Sequence, residues 1–237
     1  SLPLDAGYRA AVIPPPGRLL AVNLVAEIRL DPGGTPGMTA IDKRPVEGPV
    51  GVTMLGLTGD RQMDTKHHGG RDQALYAFAR EDVVPWEAEL GRELTPGSFG
   101  ENLTTEGVEV SDALVGERWR IGGERSDAVV VEATLPRTPC STFASWMGEP
   151  RWISRFTAHG KIGAYLRVIT AGTVRAGDQV EVVHRPAHGV TIGQLFRRLE
   201  PAAAQALVDA HAAGEIELAD KALRKAIRTR RAREAPA

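Results

Sequence analysis

Most of the chain alternates short apolar runs with turns that are rich in Gly, Pro and Asp. This pattern is typical of the strands of a barrel or a sandwich, because each run suits one strand and is bounded by residues that favour turns. Up to about residue 188 the predicted strands are Ala21–Leu30, Val50–Leu55, Ala74–Ala79, Glu117–Ile121, Ala128–Leu135, Ile162–Thr170 and Gln179–Val183. The pattern therefore predicts a mainly β fold of the α+β type.

Two segments with helical spacing interrupt the predicted strands. In Glu81–Leu90 the apolar residues fall roughly on one face of a helix. In Thr142–Phe156 the spacing is less regular, and we expect Pro150 to break the helix, because proline lacks an N–H donor and clashes with the preceding turn.

The pattern changes to helices from residue 189 onward. Thr191 and Gln194 have the spacing of a capping box, and Pro201 suits the first position of a second helix that ends before Gly214. A third helix is predicted from the spaced apolar residues Leu218, Leu223 and Ile227. We therefore predict two units, a β-rich domain over residues 1–188 and a three-helix appendage over residues 189–237 that leans on it.

Composition narrows the class of protein. With 42% hydrophobic and 25% charged residues and a formal net charge of −1, the 237-residue chain resembles ordinary globular proteins and has no bulk attraction to nucleic acid or to an anionic membrane. No apolar run is long enough to span a membrane, and the N-terminus lacks the pattern of a secretory signal. One cysteine forms no internal disulfide, which favours a reducing compartment. We predict a soluble cytoplasmic protein and leave its oligomeric state open.

Basic residues crowd the last predicted helix between Lys221 and Arg233. Cations are favourable near the negative end of a helix dipole, and few aromatic residues accompany them, so we favour a solvated helix end over a site for a polyanion. The chain also lacks the glycine-rich phosphate loops, the HExxH helix and the paired cysteines that mark several common cofactor sites.

The single cysteine, Cys140, lies in a loop that two prolines stiffen. The loop reads Pro136-Arg137-Thr138-Pro139-Cys140 and directly follows a predicted strand. A thiolate is a soft metal ligand and a strong nucleophile, and Arg137 is placed to stabilise it or to bind an anion. A lone cysteine is also commonly a small buried hydrophobe, so these residues alone leave both interpretations open.

The segment His67-His68-Gly69-Gly70 is a second candidate for function. The glycines permit positive φ and let a ligand approach backbone N–H groups, and histidine is a suitable general acid near neutral pH. Asp60, upstream, and Asp72, downstream, are candidate carboxylates for orienting an imidazole. The structural alternative is a polar surface turn.

A third candidate lies in the segment Pro96–Leu103. Glycines flank Phe99, and Glu101 and Asn102 follow, so a bulge here would turn a carboxylate and an amide into a pocket. An ordinary hairpin corner around a buried aromatic ring is the alternative.

Taken in chain order, these motifs resemble the MOSC-domain family, which is related to the C-terminal domain of molybdenum cofactor sulfurase. The resemblance covers most of residues 20–185 and is to the bacterial hydroxylaminopurine-reductase branch, in which a small three-helix (3-alpha) domain often follows. The motifs that carry it are Thr39–Lys43, Gly56–Asp60, His67–Gly70, Phe99–Leu103 and Pro136–Cys140.

The resemblance implies a β-barrel that binds a molybdopterin-type molybdenum cofactor, with Cys140 as the protein ligand to the metal. The cofactor-binding residues that it implies are Thr39, Lys43, Gly69, Gly70, Glu101, Asn102 and Arg137. Many relatives carry a lysine two residues after the cysteine, where this chain has Thr142. We therefore expect no ion pair from this position, because threonine carries no charge.

The function implied is the two-electron reduction of N-hydroxylated bases or related N-oxygenated compounds. Electrons would come from a flavin or iron–sulfur partner protein, and His67 or His68 would act as general acid beside Cys140. The alternatives are a sulfur carrier with a Cys140 persulfide and a non-catalytic module that binds a pterin cofactor. A zinc site of His67, His68 and Cys140 lacks a secure fourth ligand.

Overall fold

The structure is a computed structural model that describes residues 13–31, 37–60 and 69–231. Its strands are β1 (Gly17–Leu30), β2 (Met38–Pro45), β3 (Val50–Thr53), β4 (Gly56–Leu57), β5 (Leu75–Ala79), β6 (Leu103–Glu106), β7 (Arg118–Ile121), β8 (Val129–Pro136), β9 (Ala164–Thr170), β10 (Gly172–Val174) and β11 (Gln179–His184). Its helices are α1 (Arg80–Leu90), α2 (Ser141–Met147), α3 (Trp152–His159), α4 (Ile192–Phe196), α5 (Pro201–Ala212) and α6 (Asp220–Arg231), with a 3₁₀ turn at Arg71–Gln73.

Seven strands close into a barrel. The order around it is β1, β11, β7, β8, β9, β5 and β6, and β6 pairs again with β1. Among the strand pairings of the described residues, only that of β5 with β6 is parallel. Strand β1 is long enough to serve two sheets, because its first residues pair with β6 and β11 while its second half pairs with β2 outside the ring. Strands β10, β3 and β4 form a separate small sheet. The predicted β-barrel with helical additions is confirmed.

The core fills the barrel and extends beneath the helices. Strand β7 shows the alternation expected of a strand with one buried face, since Trp119 and Ile121 are buried and Arg118 and Arg120 are not. Buried aromatic rings pack together between one wall of the barrel and helices α1 to α3. These rings are Phe78, Trp86, Phe99, Phe143, Trp152 and Phe156. This cluster fixes α2, which directly follows the cysteine loop.

The helices in the first part of the chain agree with their sequence pattern. Helix α1 begins one residue before the predicted start and ends at Gly91 in the left-handed conformation. The segment predicted from Thr142 to Phe156 is divided into α2 and α3, with Gly148 and Arg151 at positive φ between them. The predicted break near Pro150 is therefore confirmed.

Strands β2, β4, β6 and β10 were not predicted. The residues of β6 explain why, because Thr104 and Thr105 are fully buried and the Thr104 hydroxyl bonds to both Asn23 and Glu101. A strand whose buried positions are threonines has no apolar alternation to detect. Strand β2 is similarly polar and forms by pairing with the extension of β1.

The three predicted C-terminal helices are present. Thr191 and Gln194 form a complete capping box at α4, with N···O distances of 3.1 and 2.9 Å. At the junction with the barrel, the His188 ring accepts from Val190 N through Nδ1 at 3.0 Å, and its Nε2 lies 2.8 Å from Val115 O. Buried residues of these helices join the same core as the barrel. The division at residues 188 and 189 stays a prediction.

An ionic cluster centred on the buried Arg167 links the barrel wall to the segment before α6. Arg167, only 1% exposed, contacts Asp72 at 2.6 Å, Glu132 at 3.1 Å and Glu217 at 3.0 Å. Arg71 also pairs with Glu217, at 2.6 Å. The cluster holds the turn that follows Gly70 against both the barrel and the C-terminal segment. Among the helices within the described ranges, none is long and apolar enough to cross a membrane.

Candidate functional site

Cys140 lies where the barrel wall passes into helix α2. Strand β8 ends at Pro136, and Cys140 is the extended residue before α2, its carbonyl accepting from Ala144 N at 3.0 Å. Prolines 136 and 139 restrict φ in this loop, so the loop has little conformational freedom. The cysteine is half-buried and packs against the edge of the core. It is therefore neither sealed in hydrocarbon nor fully in solvent.

Arg137 is buried in the same loop, with 6% of its surface exposed. Its guanidinium lies over the rings of Phe143, at 3.9 Å, and Tyr76, at 5.2 Å. Within the described ranges its Nη1 atom is buried and has no hydrogen-bond partner. A buried guanidinium nitrogen without an acceptor is costly, so this group suits an anionic ligand beside Cys140.

Tyr165 completes this part of the site. Strand β9 pairs with β8 so that Tyr165 is opposite Leu135, which brings its ring to the start of the cysteine loop. Burial raises the pKa of the Tyr165 phenol; the charge of Arg137 opposes that rise and Cys140 adds to it. No sequence signal marks this residue as part of the site, because it occupies an ordinary position in a predicted strand.

Lys43, Asp60 and Asn102 form a buried polar network that also binds the backbone of Tyr76. Lys43 Nζ lies 2.5 Å from Asp60 Oδ2, and Asn102 Nδ2 donates to the same oxygen at 2.7 Å. Asp60 Oδ1 accepts from Val25 N, and Asn102 Oδ1 accepts from Tyr76 N at 3.1 Å. Burial lowers the pKa of Lys43, and the Asp60 carboxylate counteracts this. The side chains of Lys43 and Asn102 thus bind protein groups, and their contact with a cofactor stays a prediction.

Glu101 holds its own loop in place. It is 1% exposed, and its carboxylate accepts from Gly97 N at 2.6 Å, Phe99 N at 3.0 Å and the Thr104 hydroxyl at 2.8 Å. Burial raises the pKa of this carboxyl, and these hydrogen bonds oppose the rise. Gly97 has φ of +90°, and a Cβ there would lie 2.2 Å from Lys43 O. The loop therefore packs directly on β2, and a cofactor contact of Glu101 stays a prediction.

The remaining predicted residues are placed as follows. Thr39 lies on β2, and its hydroxyl oxygen accepts from Ile41 N at 3.1 Å. Gly69 and Gly70 have φ of +114° and +80°, and both values lie in the positive range that glycine permits. His67 and His68 lie outside the described residues. Asp60 and Asp72 are the carboxylates predicted to orient these histidines. Asp60 contacts Lys43, and Asp72 contacts Arg167.

Thr142 occupies the position at which the family resemblance implies a lysine. Its hydroxyl donates to Asp31 at the end of β1. Asp31 is 3% exposed, and its second oxygen has no hydrogen-bond partner among the described residues. In this chain the position therefore joins α2 to β1 through a neutral hydroxyl.

A pocket of about 310 Å³ opens beside the cysteine loop, between the barrel and the C-terminal helices. We call it the helix-side pocket, and its lining residues are Gln73, Leu135, Pro136, Thr138, Tyr165, Leu195, Phe196, Lys221, Ala222 and Lys225. Its size is at the lower end of the range for small-molecule sites. In the described part of the chain, no group of three His, Cys, Asp or Glu side chains is arranged to hold a metal ion.

Comparison with known proteins identifies the family. The profile described as MOSC domain matches residues 64–181. The Bacillus subtilis protein "Uncharacterized protein YflK" is 32% identical over 174 residues, covering 73% of this chain and 76% of that protein. The chain belongs to the MOSC-domain family.

The chain is also similar to other known proteins. "Protein YiiM" of Escherichia coli is 33% identical over 67% of this chain and 69% of its own length. A Gibberella moniliformis protein named "Reductase" is 30% identical, covering 74% of this chain, which in turn spans only 31% of that protein. The crystal structure of YiiM from Geobacillus stearothermophilus matches with a TM-score of 0.70 and 25% identity, over 91% of this chain and all of that one. The resemblance to the MOSC family that the sequence motifs suggested is therefore confirmed.

Proposed function

We propose that this MOSC protein binds a molybdenum cofactor through Cys140 and reduces N-hydroxylated bases or related N-oxygenated compounds. The observation that carries the proposal is the pairing of a half-buried cysteine with Arg137, whose buried Nη1 has no acceptor among the described residues. A soft thiolate suits molybdenum, and a guanidinium suits the anionic groups of a pterin cofactor. The relative named "Reductase" supports the class of reaction.

The fit of the cofactor depends on a few residues of this chain. Cys140 would supply the metal ligand and Arg137 a charge-assisted hydrogen bond to an anionic group. Gly69 and Gly70, at positive φ, would let a ligand approach the backbone closely. The other predicted cofactor-binding residues would act mainly by shaping β2 and the loop before β6. They are Thr39, Lys43, Glu101 and Asn102. When bound, the cofactor would supply two-electron redox chemistry at its metal.

The proposed reaction converts an N–OH group to N–H and releases water. This balance requires two electrons and two protons for each turnover. The electrons would come from a flavin or iron–sulfur partner protein, in a reducing compartment such as the cytoplasm. We assign proton delivery to His67 or His68, because an imidazole exchanges protons near neutral pH.

The test is elemental analysis of protein made in molybdenum-replete cells. We expect molybdenum in amounts comparable to the protein for the wild type and for Thr142→Ser, and loss of both metal and N-hydroxyl reduction in Cys140→Ala. Circular dichroism of each variant checks that it folds. Molybdenum retention with full reductase activity in Cys140→Ala would refute the proposal.

The same samples distinguish the proposed reductase from a sulfur carrier. Mass spectrometry of the peptide that contains Cys140 would then show the gain of one sulfur atom, with no molybdenum and no reductase activity. Binding of cofactor without turnover, under any electron donor, would instead indicate a non-catalytic module.

A further inference from the structure

Both apolar and cationic residues line the helix-side pocket. Leu135, Leu195, Tyr165 and Phe196 supply its apolar surface, part of it aromatic. Lys221 and Lys225 line the pocket from α6. No Asp or Glu is present among the residues that line it, all of which belong to the described part of the chain. Such a pocket is complementary to a flat ring that carries a negative charge.

The two lysines are presented by one face of α6. They are four residues apart, so their side chains project from adjacent turns of the same face. Lys225 Nζ donates to the carbonyls of Leu195, at 2.5 Å, and Phe196, at 3.3 Å. These bonds fix one ammonium group at the end of α4 and leave a third N–H for a ligand. Lys221 lies closer to solvent.

The pocket adjoins the cysteine loop. Pro136 and Thr138 line it, and both flank Arg137 in the chain. Tyr165 also lines it, and the side chain of this residue interacts electrostatically with Arg137 and Cys140. The pocket and the cysteine loop therefore share one residue.

We propose that the helix-side pocket binds a flat aromatic or heterocyclic compound that carries one phosphate or carboxylate group. The ring would lie against Tyr165 and Phe196, and the anionic group would contact Lys221 and Lys225. That this compound is the substrate is an inference that rests on the proposed function. In that case the substrate would be an anion such as a nucleoside monophosphate, not a free base. The binding itself is independent of that function.

Isothermal titration calorimetry of the full chain at low ionic strength tests this binding. Two matched probe pairs separate charge from shape: adenosine monophosphate with adenosine, and 2-naphthoate with 2-naphthamide. We expect the anion of at least one pair to bind about tenfold more tightly than its neutral partner, since ion pairs at partly exposed sites contribute modestly. The pair with the larger difference identifies phosphate or carboxylate as the preferred group.

Variants on α6 locate the site. Lys221→Gln should remove most of the preference for the anion. Arg224→Gln makes the same charge change on the same helix, but Arg224 is 72% exposed and does not line the pocket, so this variant should keep the preference. Equal binding of anion and neutral probe, no binding of any probe, or a preference that persists in Lys221→Gln would each overturn the proposal.

Molybdenum content measured on the same samples separates this inference from the proposed function. Metal-loaded protein that binds none of the probes would refute the pocket assignment alone. Metal-free protein that shows the expected anion preference, whatever molybdenum is supplied to the cells, would refute the cofactor proposal alone.

Discussion

Replacing Asn102 decides whether this side chain supports the fold or contacts a cofactor. The structure shows both ends of its amide in use: Oδ1 accepts from Tyr76 N at 3.1 Å, and Nδ2 donates to Asp60 at 2.7 Å. Asn102→Ala leaves the buried Tyr76 N–H without this acceptor, which costs about 1–3 kcal/mol. It also removes one hydrogen bond to the Asp60 carboxylate, worth about 1.5 kcal/mol or more.

These two losses are not fully additive, because they share one side chain. We expect the free energy of unfolding to fall by about 3 kcal/mol in Asn102→Ala. For a chain of this length, that corresponds to a decrease in melting temperature of roughly 6–12 °C. Urea denaturation followed by circular dichroism measures the free energy, and differential scanning calorimetry measures the melting temperature.

Asn102→Asp is the matched control. It keeps an acceptor for Tyr76 N but places a second carboxylate beside Asp60, so we expect it to be destabilised near neutral pH and to recover as the solution is acidified and the pair takes up a proton. If Asn102→Ala unfolds within about 0.5 kcal/mol of the wild type, which is the usual range of a neutral surface change, the network argument is wrong. Loss of cofactor without loss of stability would then favour direct cofactor contact.

Three further predictions test the packing around the site. Arg167→Leu leaves the buried Glu132 without one of its partners, so urea denaturation should show a loss of about 3 kcal/mol, and an unchanged midpoint would contradict the buried cluster. Gly97→Ala forces a Cβ onto Lys43 O at positive φ and should cost about 2 kcal/mol or more, whereas an unchanged melting temperature would mean that the loop does not pack on β2. Burial lowers the pKa of His188, so the unfolded chain binds this proton more tightly and stability should decline as pH falls below about 6.5. The decline should be smaller in His188→Gln, and equal slopes would refute this cause.

Local patterns in the sequence were sufficient for the elements whose residues carry their own signals. The strands with apolar alternation, the break near Pro150 and the Thr191–Gln194 capping box were all predicted, because each depends on neighbours within a few positions. The motif order also indicated the MOSC family, which the comparisons confirm. Glycine at positions 69 and 70 permits the positive φ that the structure shows there, although residue type alone does not require it.

The tertiary structure decided which polar groups meet. Lys43, Asp60 and Asn102 come from separate segments, and the Asp60 carboxylate binds both the Lys43 ammonium and the Asn102 amide because the fold brings these segments together. Tyr165 reaches the cysteine loop only because β9 pairs with β8 in one register. Such pairings are set by packing between residues far apart in the chain, and periodicity within a segment carries no information about them.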